Sequence, residues 1–312
     1  MAIESVDTTR PTSQAGAAPA ADDDLSGTDR MLLHELRPHL DTLLDRHLTA
    51  AKEWFPHEYV PWSRGRDFEP DEEWNPEEFP LPDAVRRALV VNLLTEDNLP
   101  YYFATIDRVF GHEGWEVWTR RWTAEEMRHA AVIRDYLMVT RAVDATALER
   151  ARMIQVSGGE TPQPPTVADG LVYLCLQELA TRIAHRNTGK AISDSAGYKI
   201  MGRVAADENL HYLFYRDLAS AALRVDPSTM VMAVDRQVRE FEMPGTGIPG
   251  FNAHAQVIAR AGIYDLAIHH DQILVPVVVN HWNIAALTGL SPEAEQARDR
   301  VLGHIERVGS VG

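Results

Sequence analysis

Residues 122–129 read WTAEEMRH and residues 206–211 read ADENLH, and each stretch sets a histidine three places after a glutamate: Glu126 with His129, Glu208 with His211. A further glutamate precedes each pair by 30 residues, Glu96 before the first and Glu178 before the second. The chain therefore writes one pattern twice. Of its 13 histidines, only these two have a glutamate at that offset. Residues i and i+3 share one face of a helix, so both side chains of a pair can converge on one point inside a bundle. Two such sets are what a helical bundle uses to hold two iron ions. Four carboxylates balance two divalent cations, so a cluster prohibitive to bury alone becomes neutral with the metals. Oxygen-rich ligation with one imidazole per metal suits iron or manganese, whereas structural zinc recruits thiolates. The single cysteine, Cys175, rules out a thiolate cluster and any internal disulfide.

The stretches around these residues read as helices with the ligands on apolar stripes. Val85, Leu89, Leu93 and Glu96 form the first, with Asp83 as its expected cap and Pro100 expected to loosen the turn after the ligand. Trp118, Trp122, Glu126, His129 and Ile133 form the second. After the loop SGGETPQPP at 157–165, the third carries Leu171, Leu174, Glu178, Thr181 and His185, and the fourth Ile200, Val204, Glu208, His211 and Tyr215. His185, two turns beyond Glu178, reads as a satisfied core histidine, and Trp115, Trp118 and Cys175 read as core. No strand-period segment competes, so the chain reads as all-α, a four-helix core with polar groups at its centre. Beyond residue 225 the pattern weakens through MPGTGIPGFNAH at 243–254. It resumes from Tyr264 to Trp282, and again in a helix capped near Ser291 and Pro292.

Residues 1–28 are rich in Ala, Pro, Ser, Thr and Asp without helical period and read as a disordered tail, leaving 29–312 as a single domain. Its acids, Asp22 to Asp24 among them, argue against secretory and transit signals, which points to the cytoplasm. No apolar run approaches a membrane span. A net charge of -16 makes general nucleic-acid binding unfavourable. The acidic run from Asp67 to Glu78 reads as a solvated loop.

At these residues the sequence resembles the soluble acyl-acyl-carrier-protein desaturases, a ferritin-like di-iron family. The likeness runs from about Trp54 to Arg300 through WFPHEYVP (54–61), TEDNLP (95–100), WTAEEMRH, LQELAT (176–181) with HRNT (185–188), ADENLH and LTGLSPEAEQAR (287–298). It implies an oxygen-dependent enzyme that puts a cis double bond into an acyl chain on acyl carrier protein, with electrons from a ferredoxin-type donor, and a homodimer. It also implies roles: Glu126 and Glu208 bridging the irons, Glu96 and His129 completing one, Glu178 and His211 the other. Thr181 matches a threonine beside the oxygen site, and Trp54 and Asp207 match residues connecting the surface to His129. Leu179, Leu210, Tyr212 and Ala130 depart from the family pattern, which removes charged residues near the ligands. Hydroxylation, oxidation of another substrate, or iron binding without catalysis stand as the alternatives. Docking of an acidic carrier on an acidic chain calls for a local basic patch. Arg46, Lys52, Arg64 and Arg66 are the candidates, with Arg86 and Arg87 as substitutes.

Overall fold

A computed structural model describes residues 25–69, 72–111 and 114–311. Twelve α-helices run in order among them: α1 (Gly27–Ala50), α2 (Pro56–Tyr59), α3 (Asp83–Glu96), α4 (Leu99–Phe110), α5 (Glu116–Val139), α6 (Ala145–Gly158), α7 (Val167–Ala191), α8 (Ser195–Val225), α9 (Pro227–Arg239), α10 (Phe251–Arg260), α11 (Leu266–His269) and α12 (Pro292–Val311). No strand occurs among the described residues, as the sequence led us to expect.

The centre is the antiparallel pair α7 and α8, packed against α1, α3, α5 and α9, with α12 lying on α9. Helix α7 is buried nearly all round, from Val167 through Ala180 to Gly189. It is therefore a helix enclosed on most sides rather than one with a single apolar stripe. The four seams read from the sequence all face inward. Leu89, Leu93, Ile133, Leu171, Ile200 and Val204 are each fully buried, and so are Trp115, Trp118 and Cys175.

Several local expectations need correction. The tail was expected to reach residue 28, but α1 opens at Gly27 because the Ser26 hydroxyl accepts the Asp29 amide at 3.0 Å. The rest of that tail, residues 1–24, lies outside the described residues. Asp83 does not cap α3. Pro82 holds that position, and the Asp83 carboxylate accepts from Arg87 Nε at 2.7 Å, one turn on. The turn after Glu96 is broken rather than loosened. Helix α3 stops at Glu96 and α4 begins at Leu99 with Pro100 in its first turn, where a missing N–H costs nothing. Arg152 of α6 holds this break by a two-pronged bond to Asp97, at 2.7 and 2.9 Å.

Helices α1, α4, α6 and α9 carried no motif and were not read from the sequence. The weak segment 243–254 already contains the start of α10. From His270 to His281 the chain forms a π-helical segment containing Pro276, whose wider turn relieves the clash a proline ring makes inside an α-helix. Ser291 caps α12 as expected, accepting from Ala294 N at 3.2 Å.

Candidate metal centre

Each of the four seam helices brings its ligands to one point between α3, α5, α7 and α8. His129 Nδ1 lies 3.0 Å from Glu126 Oε2, 3.5 Å from Glu208 Oε1 and 3.7 Å from Glu96 Oε2. His211 Nδ1 lies 2.8 Å from Glu126 Oε1, 3.5 Å from Glu178 Oε2 and 3.8 Å from Glu208 Oε2. Two groups of four result, each with its donor atoms within 4.8 Å of one another, and Glu126 and Glu208 belong to both. All six side chains are at most 7% exposed.

The donor set fits a pair of cations better than it fits hydrogen bonding. His211 Nδ1, Glu126 Oε1, Glu178 Oε2 and Glu208 Oε2 are buried polar atoms without a hydrogen-bond partner, although they crowd together. Burial and the neighbouring Glu208 push the carboxyls of Glu126 and Glu178 up. Burial also works to lower the two imidazoles, but the surrounding carboxylates prevail and raise both His129 and His211. Two divalent ions would relieve both strains, replacing protons on the ligands.

A matched frame orients the imidazoles from behind. His129 Nε2 faces Asp207 Oδ2 at 3.5 Å, and that oxygen also accepts from Trp54 Nε1 at 2.7 Å and Arg128 Nη2 at 3.1 Å. His211 Nε2 faces Glu125 Oε2 at 2.9 Å, and the same oxygen meets His47 Nε2 at 2.9 Å. Arg203 pairs with Asp207 and Arg121 with Glu125, each from four residues upstream. The doubled motif is therefore longer than first read. It is Arg, then an acid four residues on, then Glu and His: Arg121, Glu125, Glu126 and His129 in α5, and Arg203, Asp207, Glu208 and His211 in α8. The acid of each set serves the histidine of the other. Comparison of the two stretches could have revealed Glu125, but His47 of α1 had no such signal.

The remaining expected residues fall as follows. Trp54 and Asp207 are brought together with His129, as the resemblance implied. Thr181 Oγ1 donates to the carbonyls of Gln177 and Glu178 at 3.2 and 3.1 Å, within its own helix, while also bordering a small void under Glu96, Glu126 and Glu208. His185 is a core residue, but it contacts the cluster directly, with Nε2 2.9 Å from Glu96 Oε1. Trp122 Nε1 donates to Glu178 Oε1 at 3.0 Å. Leu179 and Tyr212 are buried while Leu210 and Ala130 are half-buried. The charged partners of the ligand histidines come instead from Asp207, Glu125 and their arginines, so these four departures leave that frame complete.

A cavity of about 1030 Å³ opens between α3, α7, α10 and α12 and ends on Thr181 and His185 beside the cluster. Its walls are mostly apolar, among them Val91, Val238, Phe241, Ile258 and Leu274. Past the cluster the space narrows to voids of about 20 and 10 Å³, where Tyr102 and Tyr173 meet with their hydroxyls 3.4 Å apart.

The expected basic docking patch is mostly neutralised. Arg46 pairs with Asp217, Arg64 with Asp194, Arg66 with Glu72 and Glu78, and Arg87 with Asp83. Arg86 donates to the Ala142 carbonyl. No helix among the described residues is long and apolar enough to cross a membrane.

Fold and site together define a helical-bundle protein with a buried carboxylate–histidine cluster able to hold metal. The chain matches a family model described as fatty acid desaturase over residues 28–312, and it belongs to the acyl-acyl-carrier-protein desaturase family of oxidoreductases. DesA1 of Mycobacterium tuberculosis, named as an acyl-[acyl-carrier-protein] desaturase, is 41% identical over 285 residues, 88% of this chain and 84% of the relative. The chloroplastic stearoyl-[acyl-carrier-protein] 9-desaturase of Brassica napus is 30% identical over 286 residues, 85% of this chain and 71% of the relative. Among solved structures, DesA2 of Mycobacterium tuberculosis superposes with a TM-score of 0.69 at 28% identity, covering 86% of this chain and 99% of that one.

Proposed function

We propose that this chain is a di-iron acyl-acyl-carrier-protein desaturase that puts a cis double bond into a saturated acyl chain, drawing electrons from a ferredoxin-type donor. One observation carries the reading: two carboxylate–histidine groups sharing Glu126 and Glu208 stand at the inner end of a long apolar cavity of about 1030 Å³. That volume lies at the top of the range for small-molecule sites, as an extended acyl chain requires. Glu96, Glu126, His129, Glu178, Glu208 and His211 would hold the irons, with Glu126 and Glu208 common to both groups of ligands. Iron bound there would supply dioxygen activation and the oxidising power for hydrogen removal.

The protein's own part is positional. The cavity wall holds the acyl chain extended and dry against the ligand face, so the carbons beside Thr181 and His185 are the ones presented for reaction. Asp207 and Glu125 keep each imidazole with Nε2 protonated and Nδ1 free to ligate. The void of about 20 Å³ beside Thr181 has room for roughly one water-sized molecule, a size that suits dioxygen. The Thr181 hydroxyl stands at its edge, where it can turn from its own helix to hold or pass a proton. Trp54, bonded to Asp207 behind His129, would carry charge between the surface and the centre.

The test is to measure iron per chain and then incubate the reduced protein with a series of acyl carrier protein thioesters, analysing products by mass spectrometry. The reading expects about two irons and a product lighter by two hydrogens. A product heavier by one oxygen would make it a hydroxylase, and iron binding without product would leave a non-catalytic homologue. Glu126→Ala and Glu208→Ala should each lower iron content more than replacing an exposed acid such as Glu53.

A further inference from the structure

We propose that the outer face of α7 and α8, carrying Arg182, Arg186, Lys190, Tyr198 and Lys199, docks an acidic one-electron donor protein of the ferredoxin class. The proposal rests on the desaturase reading above, which requires electrons from outside the chain. On a chain with a net charge of -16, this face is the exception. Between residues 179 and 215 the only acids are Asp194, Asp207 and Glu208. Asp194 is held by Arg64, Asp207 by Arg128 and Arg203, and Glu208 faces the metal centre. None of the four basic residues has a carboxylate within ion-pair distance among the described residues, in contrast to Arg46, Arg64, Arg66 and Arg87. Arg186, Lys190 and Lys199 are exposed, and Lys190 and Lys199 are two of the chain's three lysines.

Helices α7 and α8, which carry the four, approach closely here. A side chain on Gly189 would collide with Met201, and one on Gly202 would meet Arg186 at 3.3 Å. Arg186 lies across the gap, its guanidinium 5.5 Å from the ring of Tyr198, which is 42% exposed. An exposed aromatic beside cations that lack carboxylate partners has the composition of a docking surface for an acidic protein.

Position decides which acidic protein. Arg182, Arg186 and Lys190 recur every four residues along one side of α7. The cavity-lining Thr181, Ala184 and Thr188 occupy another side, so the face does not frame the cavity mouth where a carrier must deliver its chain. Lys199 is one turn from Arg203, which pairs with Asp207 and lies 5.8 Å from the Trp54 ring. The patch thus adjoins the line of contacts that runs from Arg203 through Asp207 to His129. Each encounter would pass one electron, oxidising the donor by one and reducing the metal pair by one, so two encounters serve each turnover. A second copy of this chain is a poor occupant, because a two-fold contact would set these cations against themselves.

The experiment uses the iron-loaded full chain and a plant-type [2Fe–2S] ferredoxin kept reduced by its reductase, following the iron absorbance. Arg186→Glu with Lys190→Glu, and separately Lys199→Glu, should slow reduction by ferredoxin about tenfold or more at low ionic strength, and the deficit should shrink at about 0.5 M salt. Reduction by dithionite, iron per chain and KM for the acyl carrier thioester should stay at parental values. Because the readout is the metal's reduction, it remains interpretable even if no unsaturated product forms, so failure of the desaturase reading is seen separately. Parental ferredoxin rates in both variants would overturn the proposal. So would a raised KM for the carrier with ferredoxin rates intact, or a changed oligomeric state.

Discussion

Glu125→Gln tests whether the acid behind His211 matters as much as the one behind His129. Burial works to raise the Glu125 carboxyl, but hydrogen bonds from His211 and His47 outweigh it and hold the group far below the ordinary carboxylate range. It is therefore an anion accepting from three sides: His211 Nε2 and His47 Nε2 at 2.9 Å on one oxygen, and Arg121 Nε at 2.7 Å on the other. Glutamine keeps the shape but offers one acceptor end and one donor end. If the amide oxygen turns to Arg121, its NH₂ faces both imidazoles. His211 must then accept at Nε2 and carry its proton on Nδ1, the atom needed for iron. If the oxygen turns to the imidazoles, the NH₂ is set against the Arg121 guanidinium. Losing such an orienting partner typically lowers metal affinity 10- to 100-fold, about 1.4 to 2.7 kcal/mol. Unsatisfied charged hydrogen bonds should also remove about 2–3 kcal/mol of stability from the metal-free chain. Iron affinity measured by competition with a chelator, and thermal melting of the metal-free chain, report the two effects. Asp207→Asn should behave alike as the mirror site. Parental affinity in the Glu125 variant together with a loss in the Asp207 variant would refute the matched-frame reading.

Thr181→Val should keep iron content and substrate binding yet yield less product per electron, the remainder appearing as peroxide or water; an unchanged yield would make Thr181 a helix residue only. Tyr102→Ala should enlarge the space beyond the cluster and shift turnover toward acyl chains with more carbons past the reacting position, read as a changed chain-length profile of products; the parental profile would show that Tyr102 does not limit the chain. His269 is held neutral, its pKa pushed down to about 4 by burial and by neighbouring His270 and His304. Because the unfolded histidine takes a proton near pH 6.5, the fold keeps its full stability above that value and loses it as pH falls toward 4, by up to about 3 kcal/mol. His269→Gln should flatten that acid limb in melts taken between pH 7 and 4, and an unflattened limb would locate the loss elsewhere.

The sequence by itself determined the all-helical class and the six candidate ligands, because both are written in short range. A helix repeats its faces every three to four residues, so Glu126 with His129 and Glu208 with His211 announce their shared direction without any knowledge of the fold. Long-range partners leave no such mark. His47 meets Glu125 across 78 residues, and nothing around His47 distinguishes it from the chain's other histidines until α1 packs against α8. The same holds for surface charge. Arg46, Arg64 and Arg66 were expected to be available, and only tertiary packing brought Asp217, Asp194 and Glu72 against them while leaving Arg186 and Lys190 without a carboxylate partner. The cavity, too, is a space between helices rather than a property of any one of them. The closure beyond the cluster by Tyr102 and Tyr173, 71 residues apart in the chain, exists only once α4 and α7 are side by side.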